Sequence, residues 1–116
     1  MQKLDESALV PSPCFAVIFV SKRLPGDDGY GDAAARMQEL GATQPGFLGI
    51  RSVRAADGQG ITVVFYDSPD AASAWGRNPE HRDVQRQGRD RWYESYEIYY
   101  TKVERSRGFV KQSAAS

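Results

Sequence analysis

Apolar positions along the chain gather into short dense runs, separated by stretches with helical spacing. The first run, CFAVIFVS from Cys14 to Ser21, is apolar at nearly every position. It is too short for a core helix and rich in Val, Ile and Phe, which predicts a strand buried on both faces. Residues 22–28, KRLPGDD, read as a polar loop with a Pro-Gly turn signal. From about Gly29 to Leu40, the spacing of Tyr30, Ala33, Ala34, Met37 and Leu40 predicts a helix with one core-facing stripe. Asp27 or Asp28 can cap it, and Gly41 is a natural stop. After the Pro45-Gly46 turn, FLGIRSVRAA alternates imperfectly, yet Leu48, Ile50 and Val53 support a second strand. Asp57-Gly58-Gln59-Gly60 is a hairpin signal. ITVVFYDS then makes a third strand, with Ile61, Val63 and Phe65 on one face and Val64 and Tyr66 on the other.

Two helix starts share one grammar. Ser68-Pro69-Asp70 supplies a cap, a first-turn proline and an acid at the positive end of the dipole. The helix it begins carries Ala71, Ala72 and Trp75 and ends near Gly76. Asn78-Pro79-Glu80 repeats the pattern and launches a second helix through about Arg91. From Tyr93, YESYEIYYTKVE is a last strand of aromatic and β-branched residues. The order strand, helix, strand, strand, helix pair, strand predicts an α+β, ferredoxin-like βαββαβ domain: an antiparallel sheet with its helices on one face. The domain spans residues 13–106, between tails over 1–12 and 107–116. The first, third and fourth strands are apolar on both faces, but helices cover only one. The other predicts a partner, most economically a second copy packed sheet on sheet as a homodimer.

Composition removes several classes. With 116 residues the chain fits one domain, and its formal net charge is zero. Neutral balance argues against a nucleic-acid binder, whose phosphate contacts need a basic excess, and against a polybasic membrane patch. No apolar run approaches the ~20 residues of a spanning helix. The first residues lack the apolar centre of a signal peptide, so the expected setting is cytoplasmic. Cys14 is the only cysteine and lies in an apolar strand, which reads as a buried small hydrophobe. One histidine and one cysteine leave no expected metal site. No P-loop, dinucleotide glycine fingerprint, HExxH or nucleophile elbow is present.

The unusual chemistry lies between Trp75 and Trp92, WGRNPEHRDVQRQGRDRW, which holds the single histidine and both tryptophans. On a helix, His81, Gln85, Gly88 and Trp92 share one stripe, while Arg82, Arg86 and Arg89 share a solvated face. Gly88 in a helix interior costs about 1 kcal/mol against alanine and leaves space on the inward stripe. Trp75 can lean over that space, opposite the sheet, with Tyr30, Met37 and Phe65 as further walls. Those residues describe an aromatic-walled cavity for a flat small molecule. His81, Trp75 and Asn78 are the candidate catalytic residues; Tyr30, Met37, Phe65, Gly88 and Trp92 are the candidate substrate-binding ones. Plainer roles stand beside these. Asn78 is fully explained as a helix cap, the tryptophans as core, and His81 as a hydrogen-bonding residue.

The segments AVIFVSKR, GDDGYGDAAARM, QPGFLGIRS and GQGITVVFYDSPDAASAWGRNPEHRDVQRQGRDRWYESY, in this order, resemble the antibiotic biosynthesis monooxygenase family. QPGFLG before a strand and W-x5-H across the helix pair resemble its commonest motifs, over Phe15 to about Phe109. The resemblance implies a dimeric α/β barrel with a pocket between sheet and helices. It also implies oxygenation of polycyclic phenols without metal or flavin, the substrate supplying the electrons. Carried over, Trp75, Asn78 and His81 become wall residues. A haem-degrading branch uses an asparagine from the first strand, which CFAVIFVS lacks. Three readings follow: a cofactor-independent monooxygenase on a small aromatic, a non-catalytic small-molecule or haem-binding dimer, and a structural dimer whose cavity is filled by side chains.

Overall fold

The structure, a computed structural model, describes residues 10–112. The expected tails over 1–12 and 107–116 therefore fall partly outside the described residues. Strand β1 runs Cys14–Arg23, helix α1 Tyr30–Gly41, β2 Phe47–Arg54 and β3 Gln59–Tyr66. Helices α2 (Pro69–Gly76) and α3 (Pro79–Gln87) follow, then a wide π turn over Gly88–Trp92 and strand β4 over Tyr93–Val103. The four strands form one sheet in the order β2-β3-β1-β4, every neighbouring pair antiparallel. This is the ferredoxin-like α+β arrangement that the hydrophobic pattern predicts.

Alternation assigns the faces. Val17, Phe19, Val64, Tyr66, Tyr96 and Ile98 point toward the helices and line the space beneath them. Ile18, Val63 and Tyr99, matched across β1, β3 and β4, point the other way. On that outer face Val53, Ile61 and Val20 are 73%, 47% and 36% exposed, so the helices leave an apolar surface uncovered. The register also explains why β2 alternates imperfectly. Phe47 pairs with Tyr66 and Gly49 with Phe65, so Leu48 is an extra, bulged residue. Phe47 thus shares a face with Ile50 and Ser52 and meets Tyr66 edge-on, with ring centroids 6.5 Å apart.

The helix starts form as their residues dictate. Ser68 Oγ accepts from the Ala71 amide at 3.1 Å, and Asn78 Oδ1 accepts from the His81 amide at 3.1 Å. Asp27 takes the amides of Gly29 and Gly31 ahead of α1, at 3.1 and 3.0 Å. The final helix departs from expectation. Its α-helical part stops at Gln87 rather than near Arg91, and the chain widens into the π turn. Gly88 is the physical reason: a Cβ there would lie 3.0 Å from two Tyr93 ring atoms, so its bare backbone closes against that ring. The turn delivers Trp92 into the interior at 2% exposure. There its Nε1 donates to the Asp28 carbonyl at 2.7 Å, and its own carbonyl accepts from the Leu24 amide at 2.9 Å.

Candidate functional site

Between the helices and the inner face of the sheet lies a cavity of about 260 Å³. Its floor is aliphatic and aromatic, with Val17, Phe19, Ile50 and Val64 from the sheet. Tyr30, Ala34 and Met37 from α1 form one side; Trp75, His81 and Val84 from α2 and α3 form the other. Arg36 of α1 and Glu80 of α3 brace the two sides from outside, through contacts at 2.8 and 3.1 Å. Beside this guanidinium the Glu80 carboxyl titrates below its ordinary range.

The His81 ring lies flat on Trp75, with centroids 4.1 Å apart and planes 13° from parallel. Its Nδ1 is 3.0 Å from the Trp75 carbonyl oxygen. A carbonyl only accepts, so Nδ1 carries the proton and Nε2 keeps its lone pair. Burial disfavours the imidazolium and lowers the pKa below 6.5, against a smaller upward effect of the Trp75 carbonyl. Helix grammar builds this geometry. The α2 helix ends in a carbonyl, Asn78 starts α3, and the third residue after that cap folds back onto it.

A second cluster sits where the end of β1, the start of α1 and the start of β4 meet. The Arg23 guanidinium stacks on the Tyr30 ring at 3.6 Å from its centre. Tyr30 meets Trp92 and Tyr93 edge-on, at 6.0 and 5.9 Å between centroids. Burial, and then a hydrogen bond with Tyr30, push the Tyr93 hydroxyl well above its ordinary value. Tyr66 is likewise raised by burial. Both phenols stay protonated at neutral pH and act as donors or acceptors, not as bases.

Of the sequence-predicted residues, His81, Trp75, Tyr30, Met37 and Trp92 line this cavity. Asn78, Phe65 and Gly88 do not. Asn78 spends its side-chain oxygen on the helix cap. Phe65 lies on the outer face of β3, between the inward Val64 and Tyr66. The room expected beside Gly88 is taken by the Tyr93 ring. Residues not singled out beforehand also line the cavity: Ser52, Arg54 and Thr62 on the sheet, Gln38 on α1, and Tyr93, Tyr96 and Tyr100 on β4. The tyrosines carried only the signal of strand propensity, and the β2 residues were masked by the bulge at Leu48. Arg82, Arg86 and Arg89 are exposed outside the cavity, as their helical spacing predicts. Cys14 is buried, and burial pushes its thiol pKa up. Among the described residues, no three His, Cys, Asp or Glu side chains converge to hold a metal ion. No helix among them is long and apolar enough to cross a membrane.

Sheet order and helix placement define a ferredoxin-like α+β domain, and comparison with known proteins makes the family specific. Residues 15–87 match the family model described as antibiotic biosynthesis monooxygenase, and the chain belongs to that family. It is 52% identical, over 101 residues, to an uncharacterized protein, YqjZ, of Bacillus subtilis (strain 168), covering 87% of this chain and 89% of that one. SnoaB, a cofactor-independent oxygenase from Streptomyces nogalater, has the same fold at a TM-score of 0.70 and 14% identity, over 82% of this chain and 97% of its own. A putative antibiotic biosynthesis monooxygenase from Nitrosomonas europaea matches at a TM-score of 0.69 and 11% identity, over 83% and 95% of the two chains.

Proposed function

We propose that the cavity binds a small, electron-rich fused-ring phenol and that the protein oxygenates it with O2, without a bound cofactor. The observation that carries this reading is the fixed tautomer of His81. With Nδ1 committed to the Trp75 carbonyl, Nε2 has no hydrogen-bond partner among the described residues and can accept a phenolic proton. Trp75, stacked on the imidazole, extends the aromatic wall against which the rings would lie. Deprotonation raises the electron density of the substrate, which then reduces O2. One oxygen atom becomes the new quinone carbonyl, and the other leaves as water with the hydrogen of the oxidised carbon and the phenolic proton returned by His81. The protein supplies proton acceptance, orientation and exclusion of water. Kinship with the monooxygenase family and the fold shared with SnoaB support this assignment.

The cavity volume favours a small aromatic over haem. At about 260 Å³ it lies just below the span of most ligand sites, about 300 to 1,000 Å³. The test is O2 uptake and quinone formation with anthrone or naphthol. His81→Ala is expected to slow turnover by about a hundredfold or more, the usual contribution of a positioned base. Full activity in that variant would remove the role, and no turnover of any phenol by the native protein would remove the reaction.

A further inference from the structure

The walls of the cavity carry one unbalanced charge. Among its described lining residues Arg54 is the only Lys, Arg, Asp or Glu. Its guanidinium is held by neutral oxygens: Nη1 donates to the Gly58 carbonyl at 2.6 Å, and Nη2 to Ser21 Oγ at 2.9 Å and the Tyr30 hydroxyl at 3.4 Å. Among the described residues no carboxylate lies within ion-pair distance of it. Those three contacts leave part of its five-donor fork unused, and the fork suits a planar carboxylate.

The backbone is arranged to keep the group there. Arg54 pairs with Gly60 and Gly60 with Ser21, so the side chain crosses a whole strand above a residue that has none. A Cβ on Gly60 would come within 2.7 Å of Arg54 Cζ and 2.8 Å of Nη1. Any larger residue at that position displaces the guanidinium. Beyond Gly60 the seat is the hydroxyl of Ser21, itself only 4% exposed. The Tyr30 ring stands over it, 5.9 Å from the Arg54 guanidinium, with Arg23 stacked at 3.6 Å. Arg23 is already committed to the Trp92 and Gly26 carbonyls, at 3.1 and 3.0 Å. Of the two cations, Arg54 is the one that lines the cavity.

We propose that Arg54 is a specificity residue, selecting an aromatic substrate that carries a carboxylate and seating that group against its guanidinium, with the rings toward Trp75 and His81. The inference rests on the reading of the cavity as an aromatic site and adds the acidic substituent to it. Arg54 is exposed where it borders the largely apolar cavity, and a carboxylate there gains a charge-assisted pair that a neutral isostere does not.

The test is binding of hydroxynaphthoate and of the neutral hydroxynaphthamide to the full-length protein, followed by quenching of tryptophan fluorescence. The native protein is expected to bind the acid at least about tenfold more tightly, equivalent to about 1.4 kcal/mol. Arg54→Gln is expected to abolish that preference, weakening binding of the acid far more than binding of the amide. Gly60→Ala, which keeps the arginine but denies its seat, is expected to narrow the preference as well. Equal affinity for acid and amide in the native protein, or a preference undiminished in Arg54→Gln, would overturn the carboxylate assignment and leave the aromatic site standing. Failure of both compounds to bind would remove the aromatic site, and this inference with it.

Discussion

His81 concentrates three properties in one side chain: a committed Nδ1, a free Nε2 and a partly desolvated ring packed on Trp75. Burial outweighs the opposing effect of the Trp75 carbonyl and favours the neutral form, which has a consequence for stability. The folded-state pKa lies below the ordinary value of 6.5, so the unfolded chain takes up the proton first as pH falls. Stability at this site is complete above pH 6.5 and declines as pH drops from there through the lowered folded-state pKa. Urea unfolding midpoints, measured between neutral and mildly acidic pH, should fall less steeply for His81→Gln than for the native protein. Equal slopes would show that burial does not penalise the imidazolium. The rate of phenol oxidation should show an acidic limb over the same range if Nε2 is the base. His81 and Trp75 were legible because two capped helix starts, ten residues apart, fix which way each points. Arg54 was not. Its role depends on the missing side chain of Gly60 on the next strand, a long-range pairing that local spacing does not encode.

Local grammar set the elements well and their ends less well. Both Pro-containing starts, at Ser68 and Asn78, behave as their residue types require. Asn78→Ala is expected to cost about 1 kcal/mol of stability, because its oxygen satisfies the His81 amide. Chemical denaturation checks this, and an unchanged midpoint would mean that water replaces the cap. The π turn is where local reasoning failed. Judged by helix propensity alone, Gly88→Ala should stabilise the chain by about 1 kcal/mol. Packing reverses the sign. The added methyl meets the Tyr93 ring at 3.0 Å, and that ring is fixed by edge contacts with Phe19, Tyr30 and Tyr96, at 5.4, 5.9 and 5.9 Å. Overpacking of this kind costs about 1–3 kcal/mol, so a net loss of stability is expected. A stabilised Gly88→Ala variant would show that the turn can relax into ordinary helix. Tertiary contact between Gly88 and Tyr93, not sequence within the helix, decides where α3 ends. The bulge at Leu48 is the same lesson in a strand. It swaps the faces of the residues before it relative to those after, so Phe47 and Ile50 can both face inward despite their odd spacing.

At the scale of the whole molecule, the two faces of the sheet have different fates, and the parity of the strands distinguishes them. The inner face meets the helices across the cavity. The outer face presents a row that crosses three strands: Val53 opposite Ile61, and Ile61 opposite Val20. All three are exposed in the protomer, and Tyr99 lies beside them at 49% exposure. This face was legible in the sequence because β1 and β3 are apolar at consecutive positions, more than one layer of helices can cover. Which face holds the cavity was less legible, and Phe65 was assigned to the wrong one. Apolar surface removed from water is worth about 25 cal/mol per Å², so covering this row favours association. A second copy supplies a surface of the same shape and chemistry through a twofold axis, which makes a sheet-on-sheet homodimer the expected assembly. Ile61 lies at the centre of the row, and a lysine there would lose its hydration on packing against its own copy. Ile61→Lys is therefore expected to sediment as a folded monomer at concentrations where the native protein sediments as a dimer. Circular dichroism separates dissociation from unfolding, since the substitution adds charge to a surface that is already solvated in the free protomer. A native protein that is monomeric at micromolar concentration, or an Ile61→Lys variant that stays dimeric, would rule out this face as the interface.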